Sequence, residues 1–151
     1  MNKSADYFAE LYVAGKFADA GWNVYFPHRD KGFDFIISKD CQGEIVILPV
    51  QVKGKFPTEL KTDKPVYGYV GRLSQTHPEL VLAIAYFNRS EASLTPSRVA
   101  YMPFACVKKH KRGYRCQPAM FRKTIAVPRR DFAKFFDDKG LELLESSRPK
   151  P

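Results

Sequence analysis

Gly32-Phe33-Asp34-Phe35-Ile36-Ile37, followed by Ile45-Val46-Ile47-Leu48-Pro49-Val50-Gln51-Val52-Lys53, decides how this chain folds. Both segments are strand-length runs of apolar and β-branched residues. Between them, Asp40-Cys41-Gln42-Gly43 is turn chemistry, with Gly43 able to take a positive φ. The pair therefore predicts a hairpin with strands over about 33–38 and 44–53. Both strands read as central strands covered on two sides, and Pro49 predicts a bulge or bend in the second. Set into this apolar element are Asp34, Gln51 and Lys53. Gln51 and Lys53 are two residues apart, so on a strand both side chains leave the same face. Burying a carboxylate and a lysine is costly unless they are paired or bind a metal. Function is to be sought here.

Working outward, Ser4 predicts the cap of a helix running to about Ala20, with Gly21 at C′. Phe8, Leu11, Tyr12, Gly15 and Ala18 share one side at helical spacing, which predicts that this stripe packs inward, with Glu10 on its border. Trp22, Val24 and Phe26 alternate with polar or amphipathic residues, so a first strand is expected over about 22–26. Beyond the hairpin, 54–65 is charged and turn-rich, and 67–73 is ambiguous between strand and loop. Strands are expected over 79–88 and 98–107, with Pro103 marking an edge or an end. Residues 108–115 read as an exposed basic turn, 131–138 as a C-terminal helix, and the last six residues as a frayed tail.

The 151 residues are 44% hydrophobic and 14% aromatic, enough for one domain, expected over 1–145. The net charge of +9 is regional. Residues 1–97 hold 11 Lys/Arg against 11 Asp/Glu, whereas 98–134 hold 11 Lys/Arg against the single acid Asp131. That imbalance points to a polyanion, nucleic acid above all, lying along 98–134, rather than to a solvated basic face alone. Three cysteines without a CxxC pair, and three scattered histidines, argue against a disulfide framework and a zinc site. They fit a reducing cytoplasm. No apolar run approaches the roughly 20 residues of a membrane span, and the first residues do not read as a signal peptide.

Helix acid Glu10, then Gly32-Phe33-Asp34, then Gln51-Val52-Lys53, in this order and on these elements, resembles the PD-(D/E)XK nuclease superfamily. The resemblance covers about residues 4–90 and implies an α/β fold: a restriction-endonuclease-like mixed central sheet flanked by helices. It implies a Mg²⁺-dependent endodeoxyribonuclease, with Mn²⁺ able to substitute. Asp34, Gln51, the Val52 carbonyl and Glu10 would be the metal ligands, and Glu10, Asp34, Gln51 and Lys53 the catalytic set. The Gln-x-Lys form is similar to that of bacterial group I intron homing endonucleases, and the layout to Holliday-junction resolvases. The departure is Gln51, which stands where an Asp or Glu is commonest. An amide oxygen is a legitimate hard-ion ligand. Equally, Gln51 can mark a site that has kept DNA binding and lost catalysis, and the sequence leaves both open.

Phosphodiester hydrolysis assigns the roles. A metal neutralises charge on the phosphoryl oxygens and activates water, while Lys53 orients or deprotonates that water. Lys55, Lys61, Lys64, Arg72, Lys108, Lys109, Lys111, Arg112, Arg115, Arg122, Lys123, Arg129 and Arg130 are the candidate phosphate contacts, which set affinity rather than sequence preference. One such site cuts one strand, so a homodimer or homotetramer is expected.

Overall fold

The computed structural model describes residues 3–29, 32–57, 66–71, 73, 77–89 and 94–146. Helix α1 (Lys3–Asp19) ends in a Schellman motif. The N–H of Gly21 donates to the Ala18 carbonyl and that of Trp22 to the Phe17 carbonyl, each at 3.0 Å. Gly21 has φ +88°, the left-handed conformation expected of it. The motif's apolar partners, Phe17 and Trp22, meet edge to face at 6.1 Å, and Phe17 also meets Phe35 and Tyr101.

Five strands form the main sheet: β1 (Asn23–Tyr25), β2 (Phe35–Cys41), β3 (Glu44–Lys55), β5 (Val81–Arg89) and β6 (Leu94–Pro103), in the order β1-β2-β3-β5-β6. It is mixed. β1, β2 and β3 run antiparallel to one another, β3 and β5 are parallel, and β5 and β6 are antiparallel. The β2–β3 turn is tight: Gln42 and Gly43 both take positive φ, and the Gly43 N–H donates to Asp40 Oδ1. A second, smaller sheet contains β4 (Val66–Gly71), β7 (Lys108–His110), β8 (Gly113–Arg122) and β9 (Ile125–Pro128), with β8 pairing with each of the others. Helix α2 (Asp137–Ser146) closes the described chain.

Alternation along the strands divides the core into two layers. Val46, Leu48, Val50 and Val52 of β3, with Val81, Ala83, Ala85 and Phe87 of β5, pack on one face against α1 and against Leu141 and Leu144 of α2. On the other face, Leu82, Ile84 and Tyr86 of β5 and Ala100 and Met102 of β6 pack against Cys116, Ala119 and Phe121 of β8 and against Phe135 and Phe136. The protein is thus a single small mixed α/β domain with two sheets. The mixed sheet is as expected; of the elements that flank it, both α-helices pack on one face, and the second sheet covers part of the other.

Four expectations change. The buried face of α1 is Ala9, Val13, Ala14 and Phe17, while Phe8, Leu11, Gly15 and Ala18 are exposed. Small side chains at Ala9 and Ala14 let the helix approach the sheet closely, and with apolar residues on more than one side, Phe8 and Leu11 as well as Val13 and Phe17, periodicity gives little purchase on which side turns inward. Pro49 makes no bulge: it pairs in regular register with Ile36, and the parallel pairing to β5 begins one residue later at Val50, so β5 requires no N–H from it. The segment 131–138 is not one helix. A 3₁₀ turn spans Arg130–Phe135, Phe136 is extended and bridges Ala100, and α2 begins only at Asp137. Asp137 has φ +55° and is held there by its own carboxylate, which accepts from the Val99 N–H at 3.0 Å and from Arg98 Nε at 2.9 Å. Finally, the ambiguous 67–73 stretch contributes β4, and the strand expected over 98–107 runs instead from Leu94 to Pro103, stopping at the proline that marked an edge or an end, with a 3₁₀ turn over Phe104–Cys106.

Candidate active site at the parting of two strands

Of the sequence-predicted residues, Asp34, Gln51 and Lys53 lie where β2 and β3 separate. Phe35 still pairs with Val50. One residue earlier, the Asp34 N–H donates to the Val50 carbonyl at 2.9 Å, one position off the direct register. The Asp34 side chain then takes over from the backbone, and its Oδ2 accepts the Val52 N–H at 2.6 Å. On a strand the N–H and C=O of one residue point to the same edge, so the Val52 carbonyl also faces Asp34. The carboxylate is fixed beside the residue that separates Gln51 from Lys53.

Val50 and Val52 face the helices, so Gln51, Lys53 and Lys55 face the opposite way, level with Leu82, Ile84 and Tyr86 of the parallel neighbour. Gln51 is 6% exposed, and its Oε1 is buried with no hydrogen-bond partner among the described residues. An acceptor buried without any partner costs about 1–3 kcal/mol. Lys53 is half-buried. Burial, and secondarily the charge of Lys53, hold the Lys55 ammonium below the ordinary lysine pKa.

Glu10 is half-buried and belongs to the inward side of α1, three and four residues before the buried Val13 and Ala14. Its neighbour Ala9 packs over Gly54: a Cβ built at Gly54 would lie 3.4 Å from that of Ala9. The helix therefore crosses the same end of β3 that carries Gln51 and Lys53, but on the opposite face of the sheet. Among the described residues no three His, Cys, Asp or Glu side chains converge. The donors at this strand end for a cation are one carboxylate (Asp34), one amide oxygen (Gln51) and one backbone carbonyl (Val52). All are hard oxygens, as Mg²⁺ prefers, and the buried, partnerless Gln51 Oε1 is the atom a cation would satisfy.

The basic segment forms the second sheet. Lys108, Lys109, Lys111, Arg112, Arg115, Arg122, Lys123 and Arg130 are all exposed, on its strands, its turns or just beyond. The turn expected over 108–115 is a β7–β8 hairpin with Lys111 and Arg112 at its tip. Arg129 is different: its Nη1 donates to the Gln117 carbonyl at 2.9 Å and its guanidinium lies over Phe132. Lys61, Lys64 and Arg72 lie outside the described residues. The second sheet sits on the same face of the main sheet as Gln51 and Lys53, a juxtaposition invisible in the sequence. His77 is a turn residue, its Nδ1 accepting the Glu79 N–H.

No protein-family model matches this chain, and no curated protein resembles it at a significant level. Among the described residues no helix is long and apolar enough to cross a membrane. One feature went unseen in the sequence. The hairpin strands are not covered on both sides: Ile45 is 73% and Ile47 57% exposed. Nothing in an all-apolar strand tells which of its two faces a neighbouring element will leave bare.

Proposed function

We propose that this protein is a Mg²⁺-dependent DNA endonuclease of PD-(D/E)XK type, acting on duplex or branched DNA. The observation that carries the proposal is the buried, partnerless Gln51 Oε1 flanking Val52, whose N–H fixes the Asp34 carboxylate. Gln51 Oε1 is one of three such buried side-chain atoms among the described residues, with Trp22 Nε1 and Asn88 Oδ1, and it lies next to the residue that fixes a carboxylate, where a ligand atom is expected. The element order of α1, an antiparallel β1-β2-β3, then β5 parallel to β3, agrees with the mixed sheet that the family resemblance implies.

Asp34, Gln51 and the Val52 carbonyl would hold the ion, whereas Glu10, expected from the sequence as a further ligand, belongs to the helix on the opposite face of the sheet from Gln51. When bound, the ion supplies charge neutralisation at the phosphoryl oxygens and a water of lowered pKa. Lys53 orients the attacking water and offers its positive charge to the phosphate as negative charge develops. Exposed lysines and arginines of the second sheet bind flanking phosphates and set the register of the DNA.

The test is cleavage of supercoiled plasmid and of a four-way junction, with Mg²⁺ or Mn²⁺ and with EDTA, by wild type and Lys53→Ala. Metal-dependent cutting that disappears in the variant is expected, and the preferred substrate separates a junction enzyme from a duplex cutter. Absence of cutting by the wild type, with DNA retention that weakens steeply with salt, would instead mark a binding module on the same fold.

A further inference from the structure

A cleft of about 410 Å³ opens beside the start of β5, lined by His77, Pro78, Phe104 and Ala105. Sites for small planar ligands start at about 300 Å³. Two turns build it. One leads into β5, and in it the Leu80 N–H donates to the His77 carbonyl. The other is the 3₁₀ turn after β6, whose Phe104 N–H donates to the Leu80 carbonyl at 2.9 Å and so ties the two turns together. The His77 ring is held in place, because its Nδ1 accepts the Glu79 N–H at 3.1 Å. With Nδ1 accepting, the ring's other nitrogen is a donor. Each turn thus contributes one ring, and the rest of the lining is apolar.

The cleft shares a face with the candidate site. Phe104 packs into the layer of Leu80, Leu82 and Met102, the side of the main sheet toward which Gln51 and Lys53 point. Gln51 lies level with Leu82, and Leu82 with Met102. Two strand spacings across and two residues along put Phe104 about 12 Å from Gln51. At roughly 3.4 Å per stacked nucleotide, that is about three to four nucleotides.

Charge selects the occupant. Phe104 meets the ring of Tyr114 at 5.9 Å, and Tyr114 is the cross-strand partner of Lys109 in the β7–β8 hairpin. Cross-strand partners project from the same face of a ladder, so an exposed lysine stands beside the rings that back the cleft. Across residues 77–80 and 104–115, Glu79 is the single acid against five Lys/Arg. An apolar cleft walled by rings, with cations along one rim, fits a molecule that joins a planar ring to an anion. In DNA that molecule is a nucleotide whose base has left the stack, since a paired, stacked base offers no free face.

We propose that this cleft takes the base of an unpaired nucleotide, stacked against Phe104 and His77, with its phosphate toward Lys109. The proposal rests on the reading of the protein as DNA-binding and narrows its substrate class: DNA carrying an unpaired nucleotide about three to four positions from the scissile bond.

Fluorescence anisotropy in EDTA tests it on the full chain without any cleavage readout. The probes are a fully paired duplex, the same duplex with a bulge of unpaired nucleotides, and the bulged duplex with those positions made abasic. The bulged DNA is expected to bind about tenfold tighter than either of the others, the worth of a stacked base. Phe104→Leu and His77→Ala, the second at an exposed position, are each expected to erase that preference and keep the duplex affinity and the circular dichroism spectrum. Equal, salt-sensitive affinity for all three probes overturns the proposal and leaves DNA binding standing. So does a preference that abasic DNA retains, or one that survives both substitutions. A free deoxynucleoside monophosphate that displaces the bulged DNA at equal concentration overturns DNA as the source of the base. A Phe104→Leu chain whose sedimentation mass changes while its DNA preference does not overturns the proposal in favour of a second copy in the cleft. Retention of none of the probes at low salt overturns the DNA-binding reading and the proposal together.

Discussion

Asp34 Oδ2 accepts the N–H of Val52 at 2.6 Å. This bond closes the gap that opens where β2 leaves β3, and it makes one side chain serve both the fold and the candidate site. Asp34→Ala strands the Val52 N–H in a part-buried position and is expected to cost about 1–3 kcal/mol. In a chain of this length that lowers the melting temperature by roughly 2–4 °C per kcal/mol. Asp34→Asn keeps an acceptor and should melt close to wild type, yet lose the charge needed to hold a divalent ion. Thermal melts paired with isothermal titration by Mn²⁺ separate the two effects.

Gln51 is expected to behave as a residue kept for something other than stability. Replacing it by Leu removes a buried acceptor without a partner and should raise unfolding stability by about 1 kcal/mol in urea titrations. The same change should abolish Mn²⁺ binding and any metal-dependent cleavage. A Leu variant that is clearly less stable would mean that Gln51 is structural.

Lys55 supplies a pH signature. Burial, and then Lys53, push its pKa below the ordinary lysine value of 10.5. The folded chain therefore releases this proton at lower pH than the unfolded chain does. Between the folded pKa and 10.5 the unfolded state binds more protons, so stability rises with pH there, and below that window the penalty is present in full. Lys55→Met, which keeps the apolar stem, should be more stable than wild type at neutral pH. Its advantage should shrink in denaturant titrations as the pH approaches that of free lysine.

Gly140 has no room for a side chain. A Cβ there would lie 2.1 Å from the Phe135 carbonyl oxygen and 3.1 Å from the Tyr101 ring. Gly140→Ala, ordinarily favourable inside a helix, should instead destabilise by about 1–3 kcal/mol through overpacking against backbone. A melting temperature equal to or above wild type would show that α2 can shift away from the Phe135 turn without loss.

What was legible in the chain was local. The β2–β3 turn follows from Asp40 and Gly43, whose conformations and hydrogen bond need only neighbouring residues. The end of α1 follows from Gly21 for the same reason. Glu10, Asp34, Gln51 and Lys53 could be picked out because polar groups in or beside apolar elements demand an explanation wherever the elements end up. The concentration of positive charge between 98 and 134 is likewise a property of the chain itself.

Everything that required two distant segments to meet was settled by packing. Nothing within α1 says that Ala9, Val13, Ala14 and Phe17 turn inward, because that face is chosen by how closely the helix can approach β3 and by the ring contacts of Phe17 with Phe35 and Tyr101. Asp137 starts α2 where it does because its carboxylate finds Val99 and Arg98, some forty residues away in sequence. The basic hairpins share a face with Gln51 and Lys53 because the second sheet needs the apolar side of β5 and β6 to bury its own interior. That sheet extends no further, and Ile45 and Ile47, indistinguishable in sequence from core residues, are left bare. Hydrogen-bond geometry acts over a few residues and can be read along the chain, whereas burial is a competition for area among all the elements at once.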